Sequence, residues 1–185
     1  MNILILSCGT RNKLVRFFRE TFAALPGGGR VIVTDCSEWA PALYEADAFY
    51  LVPRMTEPGY LEHILDICKK EKVNAILPLF EDELDLLAQN RALFEQEQIC
   101  CIVSEKEAVE ICRDKYRFYE HLLAHDLPVL PTCISLEQFD RAQAEGRLDF
   151  PVFVKPIRGC GSVGISRVDD RELLEVLLRT AGTGF

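Results

Sequence analysis

The sequence predicts an α/β fold: a Rossmann-like parallel sheet over residues 1–112, followed by an incomplete α+β lobe over residues 113–185. Short apolar segments alternate with helical segments through the first region, which is typical of strand–helix–strand units. These segments are hydrophobic throughout rather than at every second position, which indicates a sheet covered by helices on both faces. After about residue 112 the alternation gives way to helices and one strand–loop–strand segment.

Five strands are predicted in the first region, each a run of apolar residues followed by polar or turn-forming residues. They are Ile3–Leu6, Val31–Val33, Phe49–Val52, Ala75–Leu77 and Cys100–Val103. Right-handed crossovers between them give a doubly wound sheet. Apolar residues at helical spacing predict the first intervening helix and its buried face: Leu14, Phe17, Phe18 and Phe22.

The second region is predicted to begin with a helix from about Asp114 to His125. This helix carries apolar and aromatic residues at the spacing of a buried stripe: Tyr116, Tyr119, Leu122 and Leu123. Ser135 is positioned to cap a further helix. Two strands are predicted around a glycine-rich turn, at Val152–Lys155 and Gly164–Val168, and a last helix follows them.

Composition and net charge indicate a folded protein and limit the kinds of molecule that it is expected to bind. Hydrophobic residues make up 49% of the 185 residues and charged residues 27%, so a packed core is expected rather than global disorder. The net charge of -8, without any run of Lys and Arg, disfavours a nucleic-acid or anionic-membrane binder. No apolar stretch approaches the length of a membrane span, and a cytoplasmic location is expected. The 8 cysteines are dispersed without a Cys-x-x-Cys pair, so we interpret them as reduced thiols rather than zinc ligands.

The strongest chemical signal is the segment Val154–Gly164, with sequence VKPIRGCGSVG. Its glycines allow backbone N–H groups to approach phosphate oxygens closely, because no Cβ stands in the way. Lys155, at the end of the preceding strand, adds a full positive charge beside them. The segment is not a Walker loop, because Gly-Lys-Ser/Thr is absent and a strand follows. A glycine-rich hairpin with a solvated lysine is the alternative interpretation.

The string Lys-Pro-x-x-Gly-x-Gly-Ser-x-Gly, framed by two strands, resembles the phosphate-covering hairpin of the ATP-grasp superfamily. Upstream, Asp114-Lys115 leads a helix that is followed by Leu127–Thr132, which resembles the superfamily's opening segment. The first region resembles the domain that precedes ATP-grasp in the carbamoyl-phosphate synthase large subunit and its shorter relatives, including the pyrrolysine-biosynthesis ligase. The resemblance covers essentially the whole chain, and the hairpin is its specific part.

The resemblance implies an ATP-dependent ligase that activates a carboxylate as an acyl phosphate for attack by an amine or another nucleophile. Lys115 would contact the nucleotide and its α-phosphate, and Lys155 would bind the α- and β-phosphates. The loop residues implied to close over the β- and γ-phosphates are Gly159, Gly161, Ser162 and Gly164. ATP and Mg²⁺ are the implied cofactors, small carboxylates and amines the implied partners, and a homodimer is possible. No catalytic residue is assigned.

The family's adenine-hinge residues and magnesium ligands lie beyond the hairpin, and the sequence ends at Gly182–Phe185 before any of them. No metal ligand is therefore assigned, and the 185-residue chain by itself is expected to be inactive. A non-catalytic nucleotide-binding or oligomerisation module is the alternative. Carbamoyl-phosphate synthesis is less favoured, because that enzyme duplicates this unit.

Two weaker features lie in the first region. Gly9 after the first strand and Asp35 after the second are similar to parts of a dinucleotide-binding fingerprint, but one glycine stands where three are expected. Glu81–Glu83 follows the fourth strand, at the edge where such sheets bind ligands. We expect these carboxylates to form a solvated helix N-terminus, with contact to an acceptor amine as the alternative.

Overall fold

The structure is a computed structural model and describes residues 1–180. Gly182–Phe185, on which the expectation of missing metal ligands rests, lies outside the described residues. The chain divides into two compact units, residues 1–106 and residues 107–185, and each is described by itself. Among the helices of residues 1–180, none combines the length and the apolar composition that crossing a bilayer requires.

The first unit is built on a five-stranded sheet in the order β3-β2-β1-β4-β5. Its strands are β1 Asn2–Ile5, β2 Arg30–Asp35, β3 Ala48–Leu51, β4 Ala75–Leu77 and β5 Cys100–Cys101. All four neighbouring pairs are parallel, which confirms the predicted Rossmann-like sheet. The strand order reverses between β1 and β4, so a crevice is expected at the carboxyl ends of these two strands.

Helices cover both faces of this sheet. They are α1 Asn12–Ala24, α2 Tyr60–Glu71, α3 Glu81–Gln89 and α4 Arg91–Gln96, with a short 3-10 helix at Pro41–Glu45. Successive residues of a strand point to opposite faces, and the buried residues of β2 follow this rule. Ile32 belongs to the core on one face, whereas Val31 and Val33 belong to the core on the other.

Two predictions about burial in the first unit are wrong. Phe17 of α1 is 60% exposed, because Val15 and Phe22 set the buried face and Phe17 lies two residues, about 200°, from Val15. On β3, Phe49 and Leu51 are 44% and 53% exposed. This strand forms an edge of the sheet and alternates between half-buried and exposed residues, unlike the central strands.

The second unit contains an antiparallel pair, β6 Val152–Val154 and β7 Ser166–Val168, which confirms the predicted strand–loop–strand. Its helices are α5 Lys106–Arg113, which begins at the unit boundary, α6 Lys115–Ala124, α7 Leu136–Ala144 and α8 Arg171–Thr180. The fully buried core is small and consists of Phe139, Val168 and Leu174.

The predicted helix from Asp114 to His125 is confirmed as α6, but its predicted buried stripe is wrong. No residue of α6 is buried, and Leu123 is 47% exposed. The core of this unit is formed by α7, α8 and the hairpin, so the apolar side of α6 is only partly covered within the described residues.

Candidate nucleotide-phosphate site

A cavity of about 470 Å³ lies in the second unit. Its lining is mostly apolar and comes from the segment before α7, from the strand β6 and from α8. Lys115 and Lys155 contribute cationic side chains to the same lining. Apolar residues of the lining include Leu130, Ile134, Leu136, Phe153, Leu174 and Leu178. A cavity with apolar walls and a few charged groups has the general character of a small-molecule site.

Lys155 directly follows β6, so the antiparallel pairing with β7 fixes its backbone. Val154, the residue before it, pairs with Ser166 across the hairpin. Lys155 is exposed and has no hydrogen bond or ion pair with the described residues. Its ammonium is therefore free to bind an anion from outside the unit.

Lys115 is the first residue of α6, whose N-terminus is capped by Asp114. The Asp114 carboxylate accepts hydrogen bonds from the backbone amides of Tyr116 and Arg117, at 3.1 and 3.0 Å. These bonds satisfy amides that no residue inside the helix can pair. The cap thus sets the direction in which the Lys115 side chain leaves the helix.

The glycine loop, residues 158–164, connects the hairpin strands through left-handed backbone. The φ angles of Gly159, Gly161 and Gly164 are 121°, 65° and 74°, values that side chains with a Cβ rarely adopt. A Cβ placed on Gly159 or Gly161 would meet no atom within 4 Å, so the need for glycine comes from conformation rather than crowding. Ser162 also has a positive φ, 62°.

Lys115 is the residue that joins α6 to this loop. Its backbone amide donates to the Ile157 carbonyl at 3.1 Å. Its ammonium donates to the Gly159 carbonyl at 2.9 Å and to the Ile157 carbonyl at 3.4 Å. In addition, Arg158 Nε lies 4.0 Å from Asp114 Oδ2.

The structure therefore brings some of the predicted site residues together and leaves others apart. Lys115 and Lys155 line one cavity although 40 residues separate them in sequence, and Gly159 contacts Lys115. The other three predicted loop residues, Gly161, Ser162 and Gly164, are exposed and are not part of the cavity lining. The role of all six residues in nucleotide binding stays a prediction.

The residues described here do not form a magnesium site. Within residues 1–180 no group of three or more His, Cys, Asp or Glu side chains is arranged to hold a metal ion. Mg²⁺ needs oxygen ligands at near-octahedral geometry, several of which are usually water or phosphate. No step of the chemistry is therefore assigned to a metal held by these residues.

A second polar cluster, centred on Glu83 of α3, lies at the carboxyl edge of the first unit's sheet. Glu83 is 0% exposed, and its Oε1 accepts hydrogen bonds from Ser7 Oγ at 2.7 Å and Tyr60 OH at 2.5 Å. Its Oε2 is buried without a partner among the described residues. Burial raises the pKa of the Glu83 carboxyl above its ordinary value, although the two hydroxyl donors act in the opposite direction.

The expectation that Glu83 belongs to a solvated helix N-terminus is thus wrong. Sequence reasoning weighed only its position at the start of a helix. A signal was present in the spacing: Leu87 lies four residues on, and both residues are buried on one face of α3. That face turns the carboxylate into the protein rather than toward water.

The turn after β1 shows why a dinucleotide-binding interpretation gains no support. The Gly9 amide, which would face a phosphate in such a site, donates to Asp35 Oδ2 at 2.8 Å. Asp35 Oδ1 accepts from the Ser37 amide at 3.0 Å. The carboxylate that would bind a ribose therefore holds the protein's own backbone at this turn.

A Rossmann-like sheet, a capped helix that carries Lys115, and a hairpin with Lys155 before its glycine loop follow one another along the chain, as expected of an ATP-grasp protein. A solved structure with this fold is N5-carboxyaminoimidazole synthetase from Staphylococcus aureus complexed with ADP, which superposes with a TM-score of 0.67 at 20% identity. The superposition covers 99% of this chain and 45% of that chain. At this identity the likeness shows the fold alone.

The model of the PylC-like N-terminal domain family matches residues 3–102, and the model of the D-ala D-ala ligase C-terminus matches residues 126–183. The first match covers more than half of the chain, which therefore belongs to the PylC-like N-terminal domain family, within the ATP-grasp superfamily.

Two curated relatives match the chain by sequence. The vancomycin B-type resistance protein VanB of Enterococcus faecalis is 26% identical over 153 residues, 80% of this chain and 42% of VanB. The D-alanine–D-alanine ligase of Corynebacterium aurimucosum is 34% identical over 112 residues, 60% of this chain and 31% of the ligase. The chain thus spans less than half the length of the curated relatives it matches.

Proposed function

We propose that this protein acts as an ATP-dependent ligase, in which the second unit described here supplies the site for the nucleotide phosphates. The reaction converts a small-molecule carboxylate to an acyl phosphate, which an amine or another nucleophile then attacks. D-alanine–D-alanine ligase, a relative by sequence, joins two amino acids according to its name.

The observation that carries this proposal is the meeting of Lys115 and Lys155 at one cavity. The backbone of one lysine is fixed by a capped helix and that of the other by an antiparallel hairpin, so both side chains extend from ordered elements. The charged residues of the lining are Lys115, Lys155, Arg147 and Asp149, beside largely apolar walls around about 470 Å³. An excess of cations beside apolar walls suits a ligand with an apolar, planar part and an anionic part. A nucleoside triphosphate has this character.

The lysines would act in phosphoryl transfer by stabilising negative charge. Charge spreads over the phosphoryl oxygens in the transition state, and cations beside these oxygens lower its energy. The loop amides from Gly159 to Gly164 would add hydrogen bonds to the phosphates once the loop closes over them. Magnesium would arrive with ATP and neutralise further charge.

Calorimetric titration with ATP and Mg²⁺ tests the proposal on wild type, Lys155→Ala, Lys155→Arg and the control Lys13→Ala. A charge-assisted hydrogen bond is worth about 1.5–3 kcal/mol. We therefore expect Lys155→Ala to weaken ATP binding by roughly tenfold to a hundredfold. Lys155→Arg should lose less because the charge remains. The control lysine lies on an exposed position of α1 and changes the net charge equally. Equal affinity for wild type and Lys155→Ala would remove the main support for the proposal.

A further inference from the structure

Lys115 occupies an unexpected place for a phosphate ligand, because its ammonium is already engaged. It donates to the carbonyl oxygens of Gly159 and Ile157, at 2.9 and 3.4 Å. Both carbonyls lie at the start of the glycine loop. A lysine ammonium has three donors, and two of these are directed at the loop. Lys155, by contrast, has no such bond within the described residues.

Asp114, at the N-terminus of α6, also contributes to the contact between this helix and the glycine loop. Its carboxylate holds the first turn of α6 through two backbone amides, which fixes the position from which Lys115 extends. The second oxygen faces the guanidinium of Arg158, the first residue of the loop, at 4.0 Å. The Asp114 side chain is only 17% exposed, so this attraction is less screened than one between two surface charges.

Beyond these contacts the loop has little to hold it. The hydrogen bonds within its tip are long: Val163 N to Cys160 O at 3.4 Å and Ile165 N to Ser162 O at 3.5 Å. The side chain of Val163 is 78% exposed and anchors nothing. Among the described residues, the contacts made by Asp114 and Lys115 therefore hold the start of the loop, in addition to the pairing of β6 with β7 at its two ends.

We propose that Asp114 and Lys115 form a clamp that holds the glycine loop in the nucleotide-free chain, and that nucleotide phosphate releases it by drawing the Lys115 ammonium away from the Gly159 carbonyl. This proposal rests on the proposed function, because it takes the phosphate of ATP as the competing ligand. A carbonyl oxygen carries a partial charge and a phosphate oxygen a full one, so phosphate wins the exchange. Asp114 is a positioning residue, since it acts through Lys115 and Arg158.

The clamp is tested without nucleotide, by ¹⁵N relaxation of the 185-residue chain. The reporter is the backbone order parameter of Gly159. We expect Lys115→Met to lower it to the range of flexible backbone, below about 0.6. Lys155→Met is the matched control, because it removes the same charge beside the loop without touching the clamp, and it should leave the order parameter as in wild type. An unchanged value in Lys115→Met, or an equal fall in Lys155→Met, overturns the clamp.

The part played by Asp114 is tested by two substitutions of different severity. Asp114→Ala removes the cap and should lower the order parameter of Gly159. Asp114→Asn should restore most of it, because asparagine caps helices well and keeps Lys115 in place. Circular dichroism confirms that both variants fold. If the two variants give the same order parameter as each other, the positioning role of Asp114 is overturned.

Release is tested by adding ATP and Mg²⁺ to the wild-type chain and following the carbonyl ¹³C shift of Gly159. We expect this shift to move toward the value found in nucleotide-free Lys115→Met. If ATP binding releases heat but the carbonyl ¹³C shift of Gly159 does not change, the proposed release of the loop by phosphate is overturned. An absence of binding heat counts against the proposed function and against release, but the nucleotide-free comparison of Lys115→Met with Lys155→Met still decides the clamp.

Discussion

The two units each have a glycine-containing turn after a strand, and they differ in the charges that surround it. In the first unit the Gly9 amide and the Ser7 hydroxyl are bound by the carboxylates of Asp35 and Glu83. In the second unit the glycine loop has Lys115 and Lys155 at its base. The Rossmann-like unit therefore resembles a nucleotide-binding fold, but the donors at its turn are already hydrogen-bonded to carboxylates of the protein. The difference in local charge, rather than in fold, is the reason why we propose the phosphate site in the second unit.

The two units also differ in how completely they bury their apolar residues. The first unit has two continuous cores, one on each face of its sheet, and these include Phe94 and Ile32 with no exposed surface. Among the described residues of the second unit, the buried hydrophobic cluster is smaller and consists of Phe139, Val168 and Leu174, while Val109 and Ala142 are buried outside this cluster. Hydrophobic burial is the main source of stability, so the first unit is expected to unfold later than the second.

The largest expected effect comes from the first core. Phe94→Ala removes a fully buried ring and should lower the free energy of unfolding by about 3–5 kcal/mol. Leu130→Ala is the control, since Leu130 is 85% exposed and its loss should change stability by less than about 0.5 kcal/mol. Urea denaturation followed by circular dichroism measures both. If the two variants had similar free energies of unfolding, the buried core would not be the main source of stability in the first unit.

A smaller effect is expected at Glu83. Glu83→Ala leaves the hydroxyls of Ser7 and Tyr60 without their acceptor, and a buried unpaired group costs about 1–3 kcal/mol. Glu83→Gln keeps an acceptor oxygen and should cost less. If both substitutions lower stability equally, the hydrogen bonds at Oε1 are not what holds this edge of the sheet.

The pH dependence of stability distinguishes Glu83 further. Because its folded pKa is raised, the folded state binds its proton more tightly than the unfolded state. The free energy of unfolding should therefore fall as pH rises from the ordinary carboxyl pKa to the raised value, and then level off. Glu83→Gln removes this contribution, so its stability relative to wild type should rise over that interval.

The smallest expected effect lies in the second unit. Ser135 caps α7 by accepting from the Gln138 amide at 3.2 Å. Ser135→Ala should lower stability by about 1 kcal/mol, and Ser135→Asp, which retains a capping oxygen, by less. Thermal unfolding monitored with and without ATP shows whether the loss falls on the part of the protein that ATP stabilises. If ATP does not offset the loss of stability in Ser135→Ala, the Ser135 cap lies outside the region that nucleotide binding stabilises.

Much of the fold was predictable because its signals are local. Ile3–Leu6 is apolar throughout, as a central parallel strand requires, and Ser135 marks a helix start. The spacing of Glu83 and Leu87 marked a shared helix face, but the hydrogen-bond partners of Glu83 could not be read from the sequence, because Ser7 and Tyr60 lie 76 and 23 residues away. The engagement of Lys115 by Gly159 was missed for the same reason, with a separation of 44 residues. Contacts of this length follow from the fold and leave no mark in a short sequence window.

The central claim is that nucleotide phosphate binds the second unit, not the turn of the Rossmann-like unit. Amide chemical shifts of the ¹⁵N-labelled chain, recorded while ATP and Mg²⁺ are added, test it most directly. The account predicts saturable shifts at Gly159, Gly161 and Gly164, with the Gly9 amide unmoved because Asp35 retains it. Shifts concentrated at Gly9, with an unperturbed glycine loop, would contradict the account.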